Sequence, residues 1–109
     1  MKLPQDARIA PEKFTNYLLV KRAVGDKSEF LKLAGYTLDN WQQLAQDIRQ
    51  QVLPEEAVAA KQTSYGEYFT IRAFLTGPNG VALRVKTVWM TESKNGITKF
   101  ITLYPDRGR

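Results

Sequence analysis

The chain contains neither cysteine nor histidine. Without cysteine there is no disulfide framework and no thiolate nucleophile, which suits a reducing compartment. Without histidine, the commonest metal ligand and the usual neutral-pH general base are both missing. A Cys/His zinc centre, a Ser-His-Asp triad and a Cys-His dyad are therefore excluded. Any catalysis must draw on Lys, Arg, Tyr, Ser/Thr, Asp or Glu. The acidic residues form no cluster that suggests a magnesium site, so neither a metal nor a cofactor is expected. No apolar run approaches the length of a membrane span, and the opening Met-Lys-Leu-Pro-Gln-Asp lacks the apolar stretch of a signal peptide. The expectation is a soluble, cytoplasmic protein with no membrane partner.

What remains is an ordinary globular composition with an uneven charge. A length of 109 residues leaves room for one hydrophobic core, so a single domain over residues 1–109 is expected. Residues 1–60 hold eight basic and eight acidic side chains. Residues 61–109 hold eight basic ones against Glu67, Glu92 and Asp106, so the whole net charge of +5 lies in the second half. A basic half suits an anionic partner, either nucleic acid or an acidic protein. A solubilising surface is the plainer alternative.

Residues 1–53 read as the helical half. Ala10-Pro11 opens a short helix at the position that proline tolerates, and Phe14, Tyr17 and Leu18 share one apolar face. Asp26 can cap a second helix carrying Phe30, Leu31 and Leu33, with Gly35 as its stop. Thr37 caps a third helix, from about Leu38 to Gln51, with Leu38, Trp41, Leu44, Ala45, Ile48 and Val52 at helical spacing. Its other face carries Asp39, Gln43, Asp47, Gln50 and Gln51. Trp41 falls inside the apolar stripe and is expected in the core.

Residues 57–105 read as antiparallel sheet. A weak strand at Ala57–Gln62 precedes three long ones, Glu67–Thr76, Val81–Thr91 and Ile97–Tyr104. Gly77-Pro78-Asn79-Gly80 and Lys94-Asn95-Gly96 supply the turns, the second with the Asn-Gly signature of a tight hairpin. The fold class expected is α+β, with N-terminal helices on one face of a three- to four-stranded antiparallel meander.

Strict alternation sorts each strand into two faces. Phe69, Ile71, Ala73 and Leu75, then Val81, Leu83, Val85, Thr87 and Trp89, then Ile97, Lys99, Ile101 and Leu103 form the face expected to meet the helices. The opposite face gathers Arg72, Arg84 and Lys86 with Tyr68, Phe74, Phe100 and Tyr104, plus hydroxyls from Thr70, Thr98 and Thr102. Cations contact phosphate, rings stack on bases and hydroxyls hydrogen-bond; single-stranded RNA uses the three together. Tyr68, Arg72, Phe74 and Phe100 are on this ground the candidate nucleic-acid contacts. The bland alternative is a face of solvated charge or one half-covered by the N-terminal leader.

Several stretches carry a resemblance. They are Asp26-Lys27-Ser28-Glu29-Phe30, Leu33-Ala34-Gly35-Tyr36, Tyr65-Gly66, Gly77-Pro78-Asn79-Gly80, Val85-Lys86-Thr87-Val88-Trp89-Met90 and Thr102-Leu103-Tyr104-Pro105. With these the chain resembles a family of small bacterial and cyanobacterial domains of unassigned function. It is also similar to modules at the C-terminus of phage head-morphogenesis-like proteins and polymorphic toxins. The order of helices followed by a meander is similar to the barnase–EndoU–colicin–RelE group of metal-independent ribonucleases. That resemblance implies a ribonuclease-type toxin or a domesticated relative working through Lys, Arg and Tyr. No His–Glu pair of the barnase kind is present, so the general base stays unassigned.

The candidate catalytic set is Lys27, Arg84, Lys86, Thr102 and Tyr104. Arg84 and Lys86, two residues apart on one face, would clamp a phosphate. Tyr104 and Lys27 would move protons and Thr102 would orient substrate. Lys27 stands in the first turn of its helix, where a cation opposes the dipole. The leading expectation is an RNA-directed, metal-independent endoribonuclease-like domain, the toxin of a toxin–antitoxin pair opposed by a small acidic partner. The alternatives are a non-catalytic module docking an acidic protein through its basic face, and plain nucleic-acid binding.

Overall fold

The structure is a computed structural model that describes residues 1–22 and 27–107. Four antiparallel strands, β1 (Ala57–Gln62), β2 (Gly66–Thr76), β3 (Ala82–Glu92) and β4 (Thr98–Pro105), lie in the order β1-β2-β3-β4. The helical half precedes them. It comprises a π-helical segment at Phe14–Leu18, helix α1 at Ser28–Lys32, and a 3₁₀ turn at Leu38–Asn40. Helix α2 at Trp41–Asp47 follows and runs on as a π-helical turn at Ile48–Val52. The fold is α+β, with helices on one face of an open antiparallel sheet. Among the described residues no helix is long and apolar enough to cross a membrane. The Asp26 cap expected from the sequence lies outside the described residues.

The core sits between that face and the helices. Ile71, Leu75, Val85, Trp89 and Leu103 from the sheet meet Phe14, Leu18, Leu31, Leu44, Ile48, Val52 and Leu53, all fully buried. Thr87 interrupts the apolar face for a reason. Its hydroxyl accepts the Trp89 indole N–H at 2.8 Å and donates to the Ile71 carbonyl at 3.1 Å. Leaving that indole N–H buried and unpaired would cost about 1–3 kcal/mol. The π-helical turn brings both Val52 and Leu53 into the core, because Leu53 N–H reaches back five residues to the Ile48 carbonyl.

Glycines fix how the hairpins dock. A Cβ on Gly77 would stand 2.0 Å from the Ala34 carbonyl oxygen, so the β2–β3 turn presses its backbone onto the end of α1. Asn79 donates to the Leu33 carbonyl there, and Gly35 closes α1 with a φ of 93°. The two stretches Leu33–Tyr36 and Gly77–Gly80 are thus one structural contact.

The structure departs from strict alternation in β4. Val88 pairs with Thr102 but Trp89 pairs with Phe100, leaving Ile101 as a bulge that reverses the phase of the strand's start. Phe100, expected on the outer face as a nucleic-acid contact, is instead 1 % exposed in the core. Its ring stacks on Phe14 at 5.9 Å and meets Trp89 edge-on at 5.2 Å. Thr98 turns inward with it. Lys99, expected on the covered face, lies beside Met90 and pairs with Glu92 at 2.8 Å.

Smaller corrections follow from short helices and one buried acid. Leu33, Leu38 and Val81 are exposed, because each sits at a helix end or in a turn rather than mid-stripe. Trp41 is half-buried, stacked on Phe14 at 6.3 Å. Asp47, expected on the polar face, is 6 % exposed and accepts from Tyr36 Oη at 2.5 Å and Gln43 Nε2 at 2.8 Å.

Candidate functional site

The N-terminal leader covers only the start of the β4 edge. Arg8 N–H donates to Thr98 and its carbonyl accepts from Phe100, a short parallel pairing that ends where the bulge begins. Beyond it the chain crosses the edge as the segment that carries Tyr17. A groove of about 520 Å³ opens there, walled by Lys13, Tyr17, Ile101 and Thr102 among others. The bulged Ile101 therefore lies in the wall of the groove as well as setting the phase of the strand.

At this edge the structure gathers phenols and cations. Lys27, at the residue before α1, donates from Nζ to Tyr17 Oη at 3.0 Å. The same ammonium lies 5.1 Å from the Tyr17 ring centre and 5.7 Å from that of Tyr104. The short contact to the phenol oxygen outweighs the ring contacts. Lys86 also stands 5.7 Å from the Tyr104 ring centre, and Arg22 stands 5.0 Å from that of Tyr17. The Tyr17 hydroxyl is held below its ordinary value, first by the Lys27 hydrogen bond and charge, against some opposing burial, and further by Thr102 and Arg22. Thr102 Oγ1 is buried beside it yet makes no hydrogen bond of ordinary geometry. Its proximity, not a formed bond, is what bears on the phenol.

Four of the five candidate catalytic residues, Lys27, Lys86, Thr102 and Tyr104, thus lie in this one neighbourhood. The register continues the band inward, since Tyr104, Lys86 and Arg72 stand side by side on β4, β3 and β2. Arg84 shares that face one step along β3, opposite the exposed Phe74. It lines a different hollow of about 530 Å³, with Arg72, Phe74, Glu55 and Asp106. Arg72 Nε is 3.8 Å from Asp106 there, so one cation of this hollow already faces an acid. Tyr68 lies further out, with Lys61 5.1 Å from its ring.

Tyr17, read from the sequence only as part of the apolar face of its helix, does pack against the core, and its hydroxyl also meets Lys27. The Lys21-Arg22 pair one turn on was the available signal that cations gather around this residue. Among the described residues, no three acidic side chains converge closely enough to share a cation.

A family model described as "Domain of unknown function (DUF6883)" matches residues 2–107. The chain belongs to this family. No curated protein and no solved structure matches the chain. Both the Tyr17–Lys27 pair and the β4 edge fall within the span that DUF6883 covers.

Proposed function

We propose that the chain is an RNA-directed, metal-independent endoribonuclease-like domain that cleaves by transesterification through the RNA 2′-hydroxyl. The observation that carries this reading is the Tyr17–Lys27 pair at an open sheet edge, a phenol poised toward its anion beside two further cations. It supplies the base that a histidine-free chain otherwise lacks.

In this scheme the Tyr17 phenolate takes the 2′-hydroxyl proton. The 2′ oxygen attacks the adjacent phosphorus, the bond to the 5′ oxygen breaks, and Tyr104 returns a proton to that leaving oxygen. Lys27 and Lys86 stabilise charge on the non-bridging oxygens, and Thr102 orients the substrate. Arg72 and Arg84 contact flanking phosphates. The products are a 2′,3′-cyclic phosphate and a 5′-hydroxyl. As a toxin related to the phage-associated and polymorphic toxin modules, it would be opposed by a small acidic protein covering the same basic face.

The test is incubation of labelled single-stranded RNA with the protein in EDTA. Fragments ending in cyclic phosphate are expected, a 2′-deoxy version of the substrate should stay intact, and Tyr17→Phe should slow cleavage by about 100-fold or more. Intact RNA at micromolar protein overturns the reading.

One observation favours a second reading, a non-catalytic module that docks an acidic protein. Val58 and Phe74, on the same outer face, are each 63 % exposed. That reading expects co-purification with a small acidic protein, lost in an Arg84→Ala, Lys86→Ala double variant.

A further inference from the structure

At the far end of the outer face lies a hollow that the ribonuclease scheme does not use. Tyr68, Met90 and Lys99 stand side by side in register on β2, β3 and β4, and the two hairpin loops at this end line the same hollow. Ser93 N–H ties the loops together by donating to the Tyr65 carbonyl at 2.9 Å. The hollow is open to solvent, about 470 Å³ in volume, and walled by Tyr65, Tyr68, Met90, Glu92 and Lys94 among others. That size suits one small heterocyclic group.

Its lining is unusual for a surface. Met90 points away from the helix-covered core and belongs to no part of it, yet is only 7 % exposed. The outer face therefore has a small apolar floor of its own. Beside it Tyr65 stands 77 % exposed, an aromatic ring held in water by a loop braced through Thr63 and Ser93. Lys61 lies 5.1 Å from the Tyr68 ring but takes no part in the wall of the hollow. Glu92, fixed by Lys99 at 2.8 Å and Asn95 at 2.9 Å, presents a carboxylate whose orientation is already set. Two aromatic walls, a thioether floor, a fixed acceptor and a lysine at the rim match a planar base attached to a phosphate.

We infer that this hollow is a nucleobase pocket that takes one base of a single-stranded RNA whose backbone crosses Lys86 and Tyr104. It rests on the RNA-directed part of the reading above. Met90 is four residues from Lys86 along β3, about 13 Å at the rise of a strand, so one short run of nucleotides reaches both.

Met90 and Met1 are the two methionines of the chain, which makes the test direct. With methionine methyl groups labelled with ¹³C, adenosine monophosphate is titrated and the methyl resonances followed. A base stacked on Tyr65 and Tyr68 should move the Met90 methyl upfield by ring current and leave Met1 in place. Tyr65→Ala, in an exposed loop, should weaken that response by roughly 10-fold or more. A silent Met90 at millimolar nucleotide, an equal response to inorganic phosphate alone, or a response indifferent to Tyr65→Ala overturns the pocket. Cleavage of RNA by a protein whose Met90 ignores the nucleotide would sink the pocket alone. A Met90 response without any cleavage would support the pocket and count against the ribonuclease.

Discussion

Tyr17 and Tyr36 are the same side chain placed in opposite surroundings. Tyr36 is fully buried and donates to a buried carboxylate, Asp47, and to the Thr76 carbonyl. Burial first, and then Asp47, push its hydroxyl well above the ordinary tyrosine range. Tyr17 sits half-buried at the β4 edge and accepts from Lys27, so its hydroxyl is pulled down. Around Tyr36 the hydroxyl and both Asp47 carboxylate oxygens are hydrogen-bonded, as a buried structural network requires. Tyr17 and Thr102 line a groove with Glu12 and Lys13, and Thr102 Oγ1 is left without a hydrogen bond. The first arrangement holds the helices to the sheet; the second is the one on which the proposed cleavage scheme draws.

Substitutions on the two sides should therefore separate stability from activity. The largest stability effect is expected at Phe100, which the bulge moved from the outer face into the core. Phe100→Ala should lose about 3–5 kcal/mol in denaturant unfolding. If its stability is unchanged while RNA affinity falls, the bulge assignment is wrong. Next is Tyr17→Phe, expected to slow RNA cleavage by about 100-fold, or about 2.7 kcal/mol of barrier, with unfolding altered by less than about 1 kcal/mol. Asp47→Ala is its counterpart. It leaves the Tyr36 hydroxyl with a weaker partner and Gln43 with none, so about 1–3 kcal/mol of stability should go. The cleavage rate of the fraction that stays folded should not change.

The pattern of these effects matches what was legible in the sequence. Strands β2 and β3 alternate without a break, and their faces are as the residues predict. Strand β4 is not legible in that way, because a bulge is one unpaired residue and Ile101 is as apolar as its neighbours. Nothing local marks the phase change that sends Phe100 inward. Asp47 was misplaced for a similar reason, since a carboxylate reads as solvent-facing until a distant Tyr36 is seen to reach it. The convergence of Lys27, Lys86, Thr102 and Tyr104 was partly legible, from face and charge. Tyr17 was not, because helical spacing records which side of a helix a residue takes and not where that helix crosses the edge of the sheet.

The smallest effect is spectroscopic and compares the two phenols in one sample. The chain's tyrosines absorb as phenolates at high pH, and Tyr17 should ionise well before Tyr36. The linkage runs in opposite directions. With its folded value below the ordinary one near 10, Tyr17 contributes a stabilisation that is complete above the unfolded value and is lost as pH falls through the folded value. Tyr36, with its folded value raised, contributes below the unfolded value, and that contribution is lost as pH rises beyond it. An absorbance titration should therefore show an early phenolate step that Tyr17→Phe removes. Because the Lys27 hydrogen bond is the largest cause of the Tyr17 shift, Lys27→Met should move the same step to higher pH while leaving the late one untouched. The acidic, rising limb of the cleavage rate against pH should move with it. An early step that survives Lys27→Met unshifted would mean that Arg22 or Thr102, rather than Lys27, sets the phenol, and would remove the pair on which the catalytic scheme turns.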